Sequence, residues 1–221
     1  MFHWLEKNPF FFSVGVFVVI AFAGLVEIVP SFAEAARPVV GLKPYSVLEL
    51  AGKEVYKKDH CIACHSQLIR PFKAETDRYG QYSVSGEYAY DRPFLWGSKR
   101  TGPDLHRIGN YRTTDWHENH MWEPEELVAG SIMPAYKHHF TNIADIETAY
   151  AEAVTVKEVF NTPYGDEIKA GEEAWNAYKP QVLEEAKAIA VDMKHPEVHE
   201  ALKKGEVPEI VALIAYLNRL K

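Results

Sequence analysis

The chain has 221 residues, enough for one ordinary domain plus appendages, and a formal net charge of −7. That sign, with no basic run interleaved with aromatics, excludes a nucleic-acid partner. Residues 66–112 carry five acids against eight Lys/Arg and residues 113–221 carry twenty against ten, so a basic middle precedes an acidic half that either steers a basic partner or is a solvated helical surface.

From Phe10 to Val26 the sequence is uncharged and apolar. With Ile28, Val29 and Phe32 the stretch reaches about 20 residues, enough to cross a bilayer as a helix. The rival is a cleaved secretory signal, for which Ala33-Glu34-Ala35 offers a small-x-small site. The length of the run, and Lys7 being offset by Glu6, favour an uncleaved anchor over residues 1–32. Glu27 lies near its outer end. A carboxylate deep in lipid costs about 2.5–3.5 kcal/mol on insertion scales, so Glu27 faces protein, water or the interface. It either marks the helix end before Pro30 or touches another membrane subunit.

Residues 33–45, with Pro38, Gly41 and Pro44, read as a linker. Ser46-Val47-Leu48-Glu49 is a capping box, opening a helix that runs to about Asp59 on a stripe of Leu48, Ala51, Val55 and Tyr56. Cys61-Ile62-Ala63-Cys64-His65 follows at once. Two thiols three positions apart with an adjoining histidine form the c-type haem attachment pattern. One turn sets both sulfurs on one side of the backbone, in reach of the two vinyl-derived positions of one porphyrin, and His65 holds the iron from the proximal side. A redox dithiol wants a βαβ context, and a structural zinc site wants four ligands; neither is present in the sequence. One covalent haem c is therefore expected. Such haems are attached on the outer side of energy-transducing membranes, so the N-terminus is expected in the cytoplasm and everything after Pro30 in the periplasm.

Residues 66–140, rich in Gly, Pro, Tyr and Trp, read as ordered loops wrapping the haem, with short helices. In Thr101-Gly102-Pro103-Asp104-Leu105 the Pro103 carbonyl is paired with the second ring nitrogen of His65, and Leu105 is placed on the porphyrin; the alternative is an ordinary turn. For the sixth iron position Met133, in Ser131-Ile132-Met133-Pro134-Ala135, is the candidate. A thioether raises the potential relative to a second imidazole. The alternatives are a core-filling methionine, or His106, His117, His120, His138 or His139 as ligand. Residues 143–204 turn helical and charged, with helices expected near 143–160, 166–178, 181–193 and 196–204, punctuated by Pro180 and Pro196. Pro208 then suits the first turn of a last helix carrying Ile210, Leu213, Ile214, Leu217 and Leu220.

The expected fold is mainly α: an N-terminal transmembrane helix plus a periplasmic class I cytochrome c fold over 46–221, with a helical insertion at about 143–207 before the C-terminal helix.

A longer series of residues carries a family resemblance. Gly24-Leu25-Val26-Glu27-Ile28-Val29-Pro30, His65-Ser66-Gln67, Ile69-Arg70-Pro71-Phe72, Arg78-Tyr79-Gly80, the block Asp91–Leu105, Asp115-Trp116-His117 and Met133-Pro134-Ala135-Tyr136 resemble the mono-haem c subunit (subunit II) of cbb3-type cytochrome c oxidase. The resemblance implies an electron-transfer subunit without chemistry of its own. It would sit beside a catalytic subunit with haem b and a haem b3–copper centre, and pass electrons to haem b for oxygen reduction and proton pumping. A di-haem cytochrome c subunit, membrane lipid and a soluble cytochrome c donor are the further implied partners. Arg70, Arg78, Arg92, Trp96, Ser98, Lys99 and Arg100, with Glu27, are the interface candidates, since Arg suits planar carboxylates; scattered surface charge is the plainer reading. Leu68 and Val128-Ala129-Gly130 depart from the family pattern, and a helical stretch at about 175–207 looks inserted. The alternatives are a membrane-anchored cytochrome c serving another complex, such as nitric oxide reductase, and a haem-based gas sensor. For the sensor no output module is visible.

Overall fold

A computed structural model describes the backbone of residues 2–33 and 37–221 and the side chains of 3–30 and 37–221. Glu34 and Ala35 of the small-x-small triplet, and residues 34–36 of the expected linker, lie outside the described residues.

The chain divides into two compact units, Met1–Arg37 and Pro38–Lys221. The first holds a short α1 (Phe2–Glu6) and a long α2 (Pro9–Ala33). Pro9 suits the first position of α2, where no intrahelical N–H is needed. The 22-residue segment Pro9–Pro30 is long and apolar enough to cross a membrane. Its Phe17, Val19, Ile20 and Phe22 are exposed, a helix apolar all round and suited to lipid. The helix passes through Pro30 to Ala33, so Glu27 does not mark its end, one of the two readings of that residue. Proline removes one hydrogen bond, and the apolar run continues beyond it.

The second unit contains α3 (Val47–Lys58), α4 (Lys73–Tyr79), α5 (Thr114–Trp122), α6 (Pro124–Leu127), α7 (Ile146–Phe160), α8 (Glu172–Ala190), α9 (Pro196–Lys203) and α10 (Glu209–Arg219), with no strand among the described residues. The mainly α architecture with one candidate membrane helix agrees with the expectation. Ser46 caps α3 in both directions: its hydroxyl accepts from the Glu49 N–H at 3.2 Å, and its own N–H donates to Glu49 Oε2 at 2.8 Å.

The centre of this unit is the crossing of α3 and α10. Gly52 makes it possible, because a Cβ there would lie 1.9 Å from the Ala212 carbonyl oxygen. Helices α7 and α8 cover α3, and α8 and α5 cover α10. As a result Ile210 to Leu217 are buried without a break, which extends the one-faced stripe expected for this helix to all of its faces. Pro208 is the N-cap of α10 and not part of its first turn.

The two helices expected at 166–178 and 181–193 are one. Helix α8 runs through Pro180, because Trp175 on one side of the proline and Val182, Ala186 and Ala190 on the other are all buried on the core. Packing along both halves outweighs the lost hydrogen bond. The elbow between α8 and α9 is fastened to α5 by a carboxylate. Glu118, 0% exposed, accepts the backbone N–H groups of Lys194 at 2.8 Å and His195 at 3.0 Å. The His195 ring lies 4.2 Å from Trp122 and 4.5 Å from Phe140.

Candidate haem site

Helix α3 ends at Asp59, and His60 then takes a left-handed conformation at φ 55°. That reversal starts a single turn over Cys61–Ala63, closed by the His65 N–H donating to the Cys61 carbonyl at 2.9 Å. Cys64 is exposed and Cys61 half-buried. Burial, with Asp59 adding to it, pushes the Cys61 thiol up to about 12. Burial therefore favours the neutral Cys61 thiol in the metal-free chain.

His65 is held by the segment Gly102–His106. Its Nδ1 lies 2.8 Å from the Pro103 carbonyl oxygen, which makes Nδ1 the donor and leaves Nε2 with its lone pair. The two backbones are tied on either side: the Gly102 N–H donates to the Cys64 carbonyl at 2.9 Å and the Leu105 N–H to the Ser66 carbonyl at 2.8 Å. A Cβ on Gly102 would lie 2.3 Å from the His65 ring, so only glycine lets the backbone pass this close. Burial lowers the His65 imidazole below its ordinary value, against the Pro103 hydrogen bond, and favours the neutral ligand form.

Beneath this layer Asp104, with a side-chain exposure of 0%, acts as a hub. Its Oδ2 accepts from the Ser66 hydroxyl at 2.6 Å and the Leu68 N–H at 2.8 Å, and its Oδ1 accepts from the His106 N–H at 2.8 Å. Arg100 donates to Ser66 Oγ at 2.6 Å, to the Leu68 carbonyl at 2.7 Å and to Glu75 Oε2 at 2.8 Å. Arg100 beside it and Arg70 together hold the Glu75 carboxyl down at about 2, against the effect of burial.

The 131–140 segment approaches the motif from elsewhere. Met133 is partly buried and packs against the core, as does Leu105. The loop is pinned by the Tyr136 N–H donating to the Met121 carbonyl at 2.8 Å. Burial, then Cys61, Asp59 and Cys64, push the Tyr136 phenol up. Beyond it, His138 Nε2 and His139 Nε2 lie 2.8 and 2.5 Å from Asp59 Oδ2.

The other histidines sort differently. His106 has both ring nitrogens engaged: Nδ1 by Ser83 and Tyr88, and Nε2 by Arg107. Burial, with Arg107, holds it down at about 3. It is a neutral structural imidazole. His117 and His120 lie on α5, and both are pushed down to about 4, His117 by burial and then by His120 and Arg112, His120 by burial and then by His65 and Arg112. His117 Nε2 and His120 Nδ1 are buried without a hydrogen-bond partner. His120 stacks on Trp116 at 4.4 Å.

The interface candidates separate into two groups. Arg70, Arg78, Trp96, Ser98 and Lys99 are exposed, with Trp96 stacked on exposed Phe94 at 4.6 Å. Arg100 is spent on Ser66, Leu68 and Glu75, and Arg92 donates to its neighbour's carbonyl at 2.6 Å and lies 4.9 Å from the Phe160 ring. Glu27 is exposed on α2. Sequence reasoning did not single out Asp104, Glu118 or the tether of Asp59 to His138 and His139, whose partners are 36 to 80 positions away.

The donor set fits an iron porphyrin: an imidazole with one nitrogen fixed by a carbonyl and the other open, two cysteines beside it, and a partly buried methionine on a pinned loop. A family model described as cytochrome c oxidase, mono-heme subunit/FixO, matches residues 2–221. No curated protein matches the chain.

Proposed function

The chain belongs to the mono-haem (FixO) subunits of cytochrome c oxidase, and from that premise we propose how it serves a cbb3-type oxidase. Cys61 and Cys64 would hold one haem c by thioether bonds, with His65 and Met133 as the ligands of its iron. The bound haem supplies reversible one-electron transfer. The residues do the rest. Pro103 fixes the tautomer and tilt of His65 and raises its basicity. Gly102 leaves the ring room, and Leu105 gives the porphyrin an apolar wall. Electrons reach this subunit from a di-haem cytochrome c subunit, itself supplied by a soluble cytochrome c. They leave for haem b of the catalytic subunit, where oxygen is reduced and protons are pumped.

Residues Pro9–Pro30 anchor the subunit in the bacterial inner membrane, with the N-terminus cytoplasmic and the haem side periplasmic. The exposed Arg70, Arg78, Trp96, Ser98 and Lys99 are the docking candidates for the catalytic subunit. The observation that carries the reading is the fixed His65–Pro103 pair directly behind two cysteines. The family assignment favours the oxidase over nitric oxide reductase. Purification through this chain in mild detergent is the test. Co-purifying b haems and copper with oxygen consumption is the expected result; non-haem iron with nitric oxide turnover would overturn it.

A further inference from the structure

On the edge of the site, one carboxylate and two imidazoles converge with no role in holding the haem. Asp59 Oδ2 receives both His138 Nε2, at 2.8 Å, and His139 Nε2, at 2.5 Å. The three donor atoms lie within 4.8 Å of one another. They come from two places far apart in the chain: the end of α3, two residues before Cys61, and the loop five and six residues beyond Met133. His139 is completely buried, with Tyr136 stacked on it at 5.3 Å, while His138 is 47% exposed and opens the cluster to solvent.

We propose that Asp59, His138 and His139 form a site for a borderline divalent transition cation of the Zn2+ type, completed by solvent on the His138 side. Two imidazole nitrogens and one carboxylate oxygen suit such ions. Ca2+ and Mg2+ demand six or more oxygens and are excluded by the same set. Bonds of about 2.0–2.2 Å hold tetrahedral ligand atoms about 3.3–3.5 Å apart, so the 2.8 Å contact has to open by about 0.5–0.7 Å and the 2.5 Å contact by about 0.8–1.0 Å. The exposed His138 ring and the Asp59 carboxylate can turn to allow this, and His139 stays fixed by its stack. Behind the cluster Glu209, its side chain 6% exposed, is ion-paired with Lys58 at 2.5 Å and accepts from Asn142 at 3.5 Å, so its charge is largely compensated where it faces His139. Without the ion, the imidazoles donate to Asp59; with it, each turns its Nε2 lone pair to the metal and carries its proton on Nδ1. No redox change is involved.

An ion here joins the polypeptide just before the cysteines to the polypeptide just after Met133, across the opening of the haem crevice. It acts as a staple between the two arms of the site. The metal site itself stands on these three side chains alone, and only the staple's effect on iron ligation rests on the proposed haem role of Met133.

The test uses the detergent-purified complex, stripped with a chelator and then dialysed against micromolar Zn2+, with bound metal and haem counted by elemental analysis. Wild type should retain one more Zn2+ per chain than His138→Gln or Asp59→Asn, with affinity at the site at least ~10-fold weaker in either variant. His138→Gln, at an exposed position, keeps the fold. Added Zn2+ should raise the unfolding temperature of wild type and leave that of His138→Gln unchanged. Equal zinc in wild type and both variants, or an equal rise in unfolding temperature, overturns the site. The pyridine haemochrome spectrum of the same samples reports separately on whether haem c is attached.

Discussion

The two sides of the proposed haem site are built in opposite ways. The proximal side, Cys64–Leu68 against Gly102–His106, is a layer of short backbone hydrogen bonds resting on the fully buried Asp104. The distal side, residues 131–140, is held mostly through its second half, by Tyr136 on Met121, His138 and His139 on Asp59 and Phe140 on Trp122, with Met133 packed against the core. A histidine ligand must keep one tautomer and one tilt, which needs many fixed partners. A methionine is flexible and needs only to be delivered. Rigidity is therefore concentrated where an imidazole has to be aimed.

The comparison can be broken at several points. The largest effect is expected for Asp104→Ala. It leaves the Ser66 hydroxyl and two backbone N–H groups unpaired beneath His65 and removes a buried charge from Arg100, at about 3–5 kcal/mol; denaturant unfolding of the full-length chain measures it. Gly102→Ala comes next. Its methyl group displaces the His65 ring, costing about 1–3 kcal/mol and broadening the low-spin haem spectrum. A spectrum and stability both like wild type would show that the close approach does not matter.

Acid reaches the proximal layer through Glu75. Its carboxyl sits at about 2 when folded, against 4.5 unfolded, so its contribution is fully present above pH 4.5 and is lost as the pH falls through 2. Glu75→Gln should flatten this part of an acid-unfolding curve, and an unchanged curve would remove Glu75 from the account. Met133→Ala is the smallest change in stability, about 1 kcal/mol for a partly buried side chain. It should nevertheless convert the reduced haem spectrum from six-coordinate low-spin. Unaltered axial ligation would rule Met133 out as ligand and return attention to the histidines.

Features that are contiguous in the chain were legible without coordinates. The capping box of α3, the two cysteines with His65, the Gly-Pro-x-Leu segment and the apolar span of α2 each carry their physics within a few residues. Helix α8 was misread as two helices because Pro180 weighs heavily in local propensity, while the burial of Trp175 and Val182 on either side of it is a tertiary fact. The stretch at about 175–207 reads in the sequence only as a helical insertion, with no sign of what it packs against. In the structure it covers α3 and α10, and its elbow is held by Glu118 on α5.

By itself, the sequence determined where α3 starts, which histidine adjoins the thiols, and that one segment is apolar enough for lipid, since these depend on local periodicity and spacing. Only the tertiary structure decided which polar groups meet: Asp104 under His65, Asp59 between His138 and His139, Glu118 at residues 194 and 195. Such pairings join positions far apart in the chain, and no local pattern encodes them.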